Sequence, residues 1–269
     1  MKGGLVMLSI AVSSGKGGVG KTSFVVNLAC SLSELNKKVI IFDADLGLAN
    51  VDIMLGIAPK FDVRHVLSGD LTLKDIIYHT DYKFDLIPAG SGVSELTQLS
   101  ISQKVQLKSQ LEDAFKPYDV LLFDLSAGIS DNVLFFNQLA EERILICTPE
   151  PTSLADAYAI LKVSHQKLRL SSFNLVVNMV KSEEEAKQIY RRLLYVVERF
   201  LPELRLDYLG SIPYDECVKK AIKSQSPFVK LCPGSLIAKK LREIAFKVLQ
   251  FKDKKDNLSQ FLDRFVSNF

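Results

Sequence analysis

The sequence predicts a doubly wound α/β fold, with a mostly parallel sheet flanked on both faces by helices. Short β-branched or apolar runs alternate with longer helical patterns along the chain. Several of these runs, such as Val39-Ile40-Ile41-Phe42 and Val120-Leu121-Leu122-Phe123, are apolar at every position. A strand with one wet face would alternate, so continuous apolarity marks strands covered on both sides, the condition of a parallel sheet between helical layers. At 269 residues and 48% hydrophobic, the chain can bury one substantial core, and α/β domains of this size commonly stay undivided.

In chain order the expected strands are Leu8–Ser13, Lys38–Phe42, Phe84–Pro88, Val120–Asp124, Ile144–Thr148, Phe173–Asn178 and Leu206–Ile212. The start, Met1 to Val12, has the outward look of a secretion signal, because Lys2 precedes an apolar stretch. That stretch runs into a glycine-rich loop without a cleavage site, so a buried first strand is expected instead. No apolar run approaches the ~20 residues needed to span a bilayer. The last core-like helix covers about Leu236–Gln250, and the basic stretch Lys252–Lys255 then divides a domain of residues 1–251 from a terminal segment, 252–269.

Open parallel sheets bind ligands beyond the carboxyl ends of their strands. Those ends here carry Gly15–Thr22, Asp43, Asp45, Asp124, Glu150 and Asn178. Gly15-Lys16-Gly17-Gly18-Val19-Gly20-Lys21-Thr22 satisfies G-x-x-x-x-G-K-[ST] between an apolar strand and a helical pattern containing Phe24, Val25, Leu28 and Ala29. Backbone N–H groups from Gly15, Gly17, Gly18, Val19, Gly20, Lys21, Thr22 and Ser23 are expected to converge on phosphate oxygens at the helix N-terminus. Lys21 is expected to bridge the β and γ phosphates, and the Thr22 hydroxyl to bind Mg2+, a hard cation that divides its shell between protein oxygens, phosphates and water.

Asp43 and Asp45 set two carboxylates where a Mg2+-bound or attacking water is held near the γ phosphate. Asp43 has the alternative of capping a helix or loop. Asp124 closes an apolar strand in the Walker B arrangement, which holds Mg2+ through water. A buried carboxylate there without a cation is costly.

The second loop lysine, Lys16, gives K-G-G-V-G-K-T, which resembles the deviant Walker A sequence of the MinD and ParA group of ATPases. The resemblance runs from Ser9 to Gln250. It implies a P-loop ATPase that slowly hydrolyses ATP to ADP with Mg2+, and an ATP-dependent homodimer in which Lys16 reaches the partner's phosphates. By the same resemblance Asp45 positions the attacking water, Asn178 reads the adenine, and Pro213, within Ile212-Pro213-Tyr214-Asp215, closes over the base. Leu125–Ile129 resembles the group's switch II segment, although threonine or proline is more usual near positions 125 and 126. Glu150–Asp156 looks like the helix start near the dimer face, and no chemistry is assigned to it.

Asp43 to Gly56 looks especially like the flagellar-number regulators called FlhG, FleN or YlxH, whereas MinD proper tends to carry arginine where Ala49 stands. This implies a cytoplasmic protein that visits the inner membrane in its ATP state and meets flagellar proteins: the GTPase FlhF, switch-complex or regulator proteins. Only about eight residues precede the first strand, which speaks against activating FlhF through an N-terminal extension. A MinD-type division-site regulator, a ParA-like DNA partition ATPase, and an ATP-dependent reductase or ligase stay open beside it.

Charge narrows these. Lys and Arg total 34 against 31 Asp and Glu, a net +3 that provides no global field for gripping DNA, so no specific nucleic acid is expected. Cys30, Cys147, Cys217 and Cys232 lie far apart without a C-x-x-C pair and are expected as buried thiols. In the terminal segment Leu258, Phe261, Leu262, Phe265, Val266 and Phe269 share one helical face. Such a helix either packs into a groove on its own domain or lies in a lipid interface, where Lys252, Lys254 and Lys255 favour anionic lipid. Two tails on a dimer raise avidity.

Overall fold

The computed structural model describes residues 7–47, 49–90 and 99–253. Its strands are β1 (Leu8–Ser14), β2 (Val39–Ala44), β3 (Tyr78–His79), β4 (Phe84–Ile87), β5 (Val120–Ala127), β6 (Glu142–Cys147), β7 (Ser172–Val180) and β8 (Arg205–Pro213). They form one sheet in the order β3-β4-β2-β5-β1-β6-β7-β8. Every pairing is parallel except β3 with β4. All seven expected strands are present. The two-residue β3 is too short to show a period in sequence.

β5 runs three residues past the expected end at Asp124. Leu125 pairs with Ala44 on β2, and Ala127 with Ser14 on β1. The start of the segment resembling switch II is therefore strand, held by neighbours on both sides.

The fully apolar runs are divided residue by residue between two cores. Ile10 and Val12, Val39 and Ile41, and Val120 and Leu122 face α1 (Lys21–Glu34) and α10 (Leu236–Leu249). Ala11, Ile40, Phe42, Leu121 and Phe123 face the opposite layer, which contains α4 (Ile101–Phe115) and α5 (Asp131–Leu139). There Phe136 of α5 packs against Phe42 and Phe123 at ring-centre distances of 5.5 and 5.3 Å. A third cluster joins β6–β8 to α6 (Pro151–Leu168) and α7 (Glu183–Phe200), the latter through Ala186, Ile189, Leu193 and Val197 at helical spacing. Shorter helices complete the chain: α2 (Val51–Leu55), α3 (Val63–Leu67), α8 (Glu216–Lys223) and α9 (Phe228–Leu231).

The cysteine expectation is corrected for one pair. Cys217 on α8 and Cys232 after α9 form a disulfide, with Cα atoms 6.6 Å apart, while Cys30 and Cys147 remain buried thiols. α8 and α9 pack on each other and bring together residues 15 positions apart, a proximity that a search for closely spaced cysteines misses. The amphipathic segment carrying Leu258, Phe261, Leu262, Phe265, Val266 and Phe269 lies outside the described residues, as do Lys254 and Lys255. Among the described residues no helix is long and apolar enough to cross a membrane.

Candidate functional site

β1 delivers the glycine-rich loop to the top of the sheet, and two of its glycines are fixed by close approach. A Cβ on Gly15 would stand 2.4 Å from backbone and side-chain atoms of Asp156 on α6, so this glycine lets the loop lie against that helix. Gly20 is the N-cap of α1 at φ 85°, and a Cβ there would lie 2.5 Å from Asn178 Nδ2. No side chain caps α1, which leaves the N–H groups of its first turn to an anion.

Asn178 braces the loop from the far side, donating from Nδ2 to the Val19 carbonyl at 2.7 Å. Its Oδ1 accepts the Met179 N–H at 2.9 Å. Met179 adopts φ 60°, at a register shift between β7 and β8. That left-handed turn costs a non-glycine residue ~1 kcal/mol. In this structure the Asn178 amide serves the loop backbone, so reading a base requires its remaining hydrogen-bonding capacity or a rearrangement.

Each loop lysine has a carboxylate partner. Lys21 Nζ lies 2.7 Å from Asp124 Oδ1, with both side chains buried. Asp124 Oδ2 is buried and has no hydrogen-bond partner, an orphaned hard oxygen at the position where Walker B geometry holds a metal. Together with the Thr22 hydroxyl on the adjoining cavity wall, this donor set fits Mg2+.

Lys16 points the other way, to Glu150 Oε2 at 2.8 Å on the surface. Hydrogen bonding to Glu150 and its charge raise the Lys16 pKa. Glu150 is a strand-end carboxylate in sequence, and no spacing there announces its pairing with Lys16.

Asp43 is buried and accepts three backbone N–H groups, from Asp45 on Oδ1 and from Asn50 and Val51 on Oδ2. Burial first, and the Asp124 charge second, push its carboxyl well above the ordinary range. It organises the loop that carries Asp45 and starts α2, the loop-capping alternative raised from sequence. Asp45 itself reaches the cavity wall.

That cavity holds about 480 Å³ and is lined by Lys16, Gly17, Gly18, Val19, Gly20, Lys21, Thr22 and Ser23 of the loop, with Asp45, Asn178 and Pro213. Gly15 is not on the lining and packs against α6 on its Cα side. Asp43 and Asp124 are not on the lining and connect to it through Asp45 and Lys21. The rest of the lining is largely apolar, with Met54 of α2, Val218 and Ile222 of α8, Phe228 of α9 and Leu241 of α10. Sequence reasoning missed this wall, because single apolar positions on amphipathic helices read as ordinary core. Lys219 Nζ sits 5.4 Å from the centre of the Tyr214 ring at its mouth.

A phosphate loop at the end of a central parallel strand, a buried lysine–aspartate pair beneath it and an apolar slot beside it define a P-loop ATPase. The chain belongs to the ParA/MinD family: the ParA family profile, described as NUBPL iron-transfer P-loop NTPase, matches residues 6–249. It is 37% identical over 262 residues to the antiactivator FleN of Pseudomonas aeruginosa, covering 96% of this chain and 93% of that protein. It is 32% identical to the flagellum site-determining protein YlxH of Helicobacter pylori, covering 88% and 80%. The septum site-determining protein MinD of Pyrococcus horikoshii, solved with Mg-ADP, superimposes with a TM-score of 0.76 at 25% identity, covering 93% of this chain and 99% of that one.

Proposed function

We propose that this ATPase is a nucleotide-driven dimerising switch that sets flagellar number and placement from the inner membrane surface. One observation carries the reading: the loop has two lysines with opposite placements. Lys21 is buried on Asp124, whereas Lys16 lies at the surface, 45% exposed, on Glu150. A surface lysine beside the phosphates is available to a second copy of the chain. The flagellar role rests on the likeness to FleN and YlxH.

Within this reading the loop amides and Lys21 bind the phosphates, and Asp45 holds the attacking water. Pro213 and Asn178 stand beside the base, and Lys16 reaches across the dimer. Mg2+ would be held by Thr22 with Asp124, and Asp43 behind them, and it supplies charge neutralisation of the phosphates during hydrolysis. Residues 1–251 form the ATPase domain, and the terminal segment 252–269, a basic stretch followed by an amphipathic pattern, engages anionic lipid when two copies are presented together. The partners are then a second copy, the membrane surface, and flagellar proteins such as FlhF or switch-complex and regulator proteins.

Light scattering of wild type and Asp45→Ala, with ADP and with ATP plus Mg2+, tests the switch. An ATP dimer that persists in Asp45→Ala and decays in wild type supports it; a monomer throughout sinks it. Vesicle sedimentation that is equal with ADP and ATP would reject the membrane step. A division-site role is the second reading, favoured by 30% identity to the septum site-determining protein MinD of Synechocystis across 82% of this chain. Co-purification with division proteins rather than flagellar ones would select it.

A further inference from the structure

The disulfide stands behind the cavity wall, next to residues that line it. Cys217 lies in the first turn of α8, directly before the lining residues Val218 and Lys219, and Cys232 follows α9, whose Phe228 lines the same cavity. The bond therefore ties the start of α8 to the end of α9, two of the four helices that form the apolar wall.

The rest of the wall is held by separable contacts. The Val229 N–H donates to Asn27 Oδ1 on α1 at 3.0 Å, and Lys230 pairs with Glu34 at 2.9 Å. Gln225 Nε2, in the turn between α8 and α9, donates to the Ile53 carbonyl of α2 at 2.9 Å. α2 begins where Asp43 gathers the Asp45–Val51 loop. A change in the α8–α9 pair thus reaches both the base side of the cavity and the segment carrying Asp45.

The four cysteines differ in reach. Cys30 and Cys147 are fully enclosed, and burial pushes both thiols up to about 12, which keeps them unreactive. Cys217 is nearly buried while Cys232 is partly exposed, so a reagent meets Cys232 Sγ first. In a reducing compartment a disulfide so placed is of the transient, redox-sensing kind.

We propose that Cys217 and Cys232 form a reversible dithiol–disulfide site whose oxidised state braces the α8–α9 wall and retains nucleotide, and whose reduction by a thioredoxin-class dithiol loosens the wall and speeds nucleotide release. The first reductant thiolate attacks Cys232 Sγ and forms a mixed disulfide, expelling the Cys217 thiolate. The second reductant thiol resolves that bond. Two electrons pass to the protein pair, two protons complete its thiols, and the reductant leaves as its own disulfide. The gating half of this inference rests on the nucleotide reading above.

The test uses the full chain, oxidised with glutathione disulfide or reduced with a dithiol. Denatured thiol counts should be two and four respectively. Release of a fluorescent ADP analogue should be faster in the reduced protein, on the order of fivefold or more. Amide exchange across Asp215–Ser235, measured without nucleotide, should rise on reduction. A Cys217→Ser, Cys232→Ser double variant with a native circular dichroism spectrum should release at the reduced rate under both treatments.

Four thiols after glutathione disulfide would overturn the redox site. Equal release from the two states, with counts of two and four, would overturn the gate. Absence of analogue binding in either state would overturn the nucleotide reading and the gate together, and exchange across Asp215–Ser235 would then decide the brace alone.

Discussion

Replacing Lys21 by methionine keeps the length of the side chain and removes its charge. Its ammonium lies 2.7 Å from Asp124 Oδ1, and the two side chains are 9% and 1% exposed. Asp124 also stands close enough to Asp43 for its charge to raise that carboxyl. Lys21→Met therefore strands a buried negative charge beside a second carboxyl group, and breaking a buried pair in this way costs ~3–5 kcal/mol. For a chain of this length each kcal/mol is worth roughly 2 °C. The nucleotide-free variant should then melt roughly 6 to 10 °C below wild type at neutral pH. Adding Asp124→Asn removes the stranded charge and should return most of the loss. Thermal melts of the four proteins, wild type, two singles and the double, complete the cycle. If Lys21→Met melts within roughly 2 °C of wild type, the pair does not carry the apo site and the reasoning fails.

Gly15→Ala drives a methyl group into Asp156 at 2.4 Å; a loss of ~1–3 kcal/mol is expected, with weaker binding of the ADP analogue, and an unchanged melt and affinity would contradict the close approach. Asp43, raised from 3.8 to about 8, keeps a proton in the native state that the unfolded chain has released. Stability of the nucleotide-free protein should therefore fall as pH rises through that window. Asp43→Asn should flatten the profile at a lower level, whereas equal slopes in the two proteins would reject the assignment. Glu150→Gln removes the acceptor charge that holds Lys16, so the ATP dimer should form at lower protein concentration in light scattering; an unaltered threshold would show that the pair does not restrain Lys16.

The parts of this molecule legible in sequence are those where a repeating physical demand leaves a pattern. Two-sided burial made Val39–Phe42 and Val120–Phe123 apolar throughout, so strand positions and the sheet class followed directly. The phosphate loop demanded glycines at fixed spacing beside a lysine and a hydroxyl. The unread features depend on pairs that no spacing announces. Glu150 and Lys16 lie 134 positions apart, and Asn178 reaches Val19 across 159. The disulfide joins two short helices whose packing is tertiary. Gly15 was expected to serve the phosphates through its backbone, yet its lack of a side chain is needed first by α6.

These pairings engage both loop lysines in the resting site, and that shapes how a ligand must enter. If Lys21 swings onto a phosphate, it gives up its contact with Asp124, whose Oδ2 already lacks a partner. Phosphate binding alone would expose a fully buried carboxylate with neither oxygen compensated, a costly state. A divalent cation bound with the nucleotide would give Asp124 a positive partner and so offset that cost. On the proposed assignment nucleotide and Mg2+ would be linked ligands, each improving the site for the other by the same factor. The coupling should be visible as an ADP-analogue affinity that falls sharply in chelator for wild type and much less for Asp124→Asn, where no charge is stranded. Equal Mg2+ dependence in the two proteins would mean that the Lys21–Asp124 exchange is not what links them.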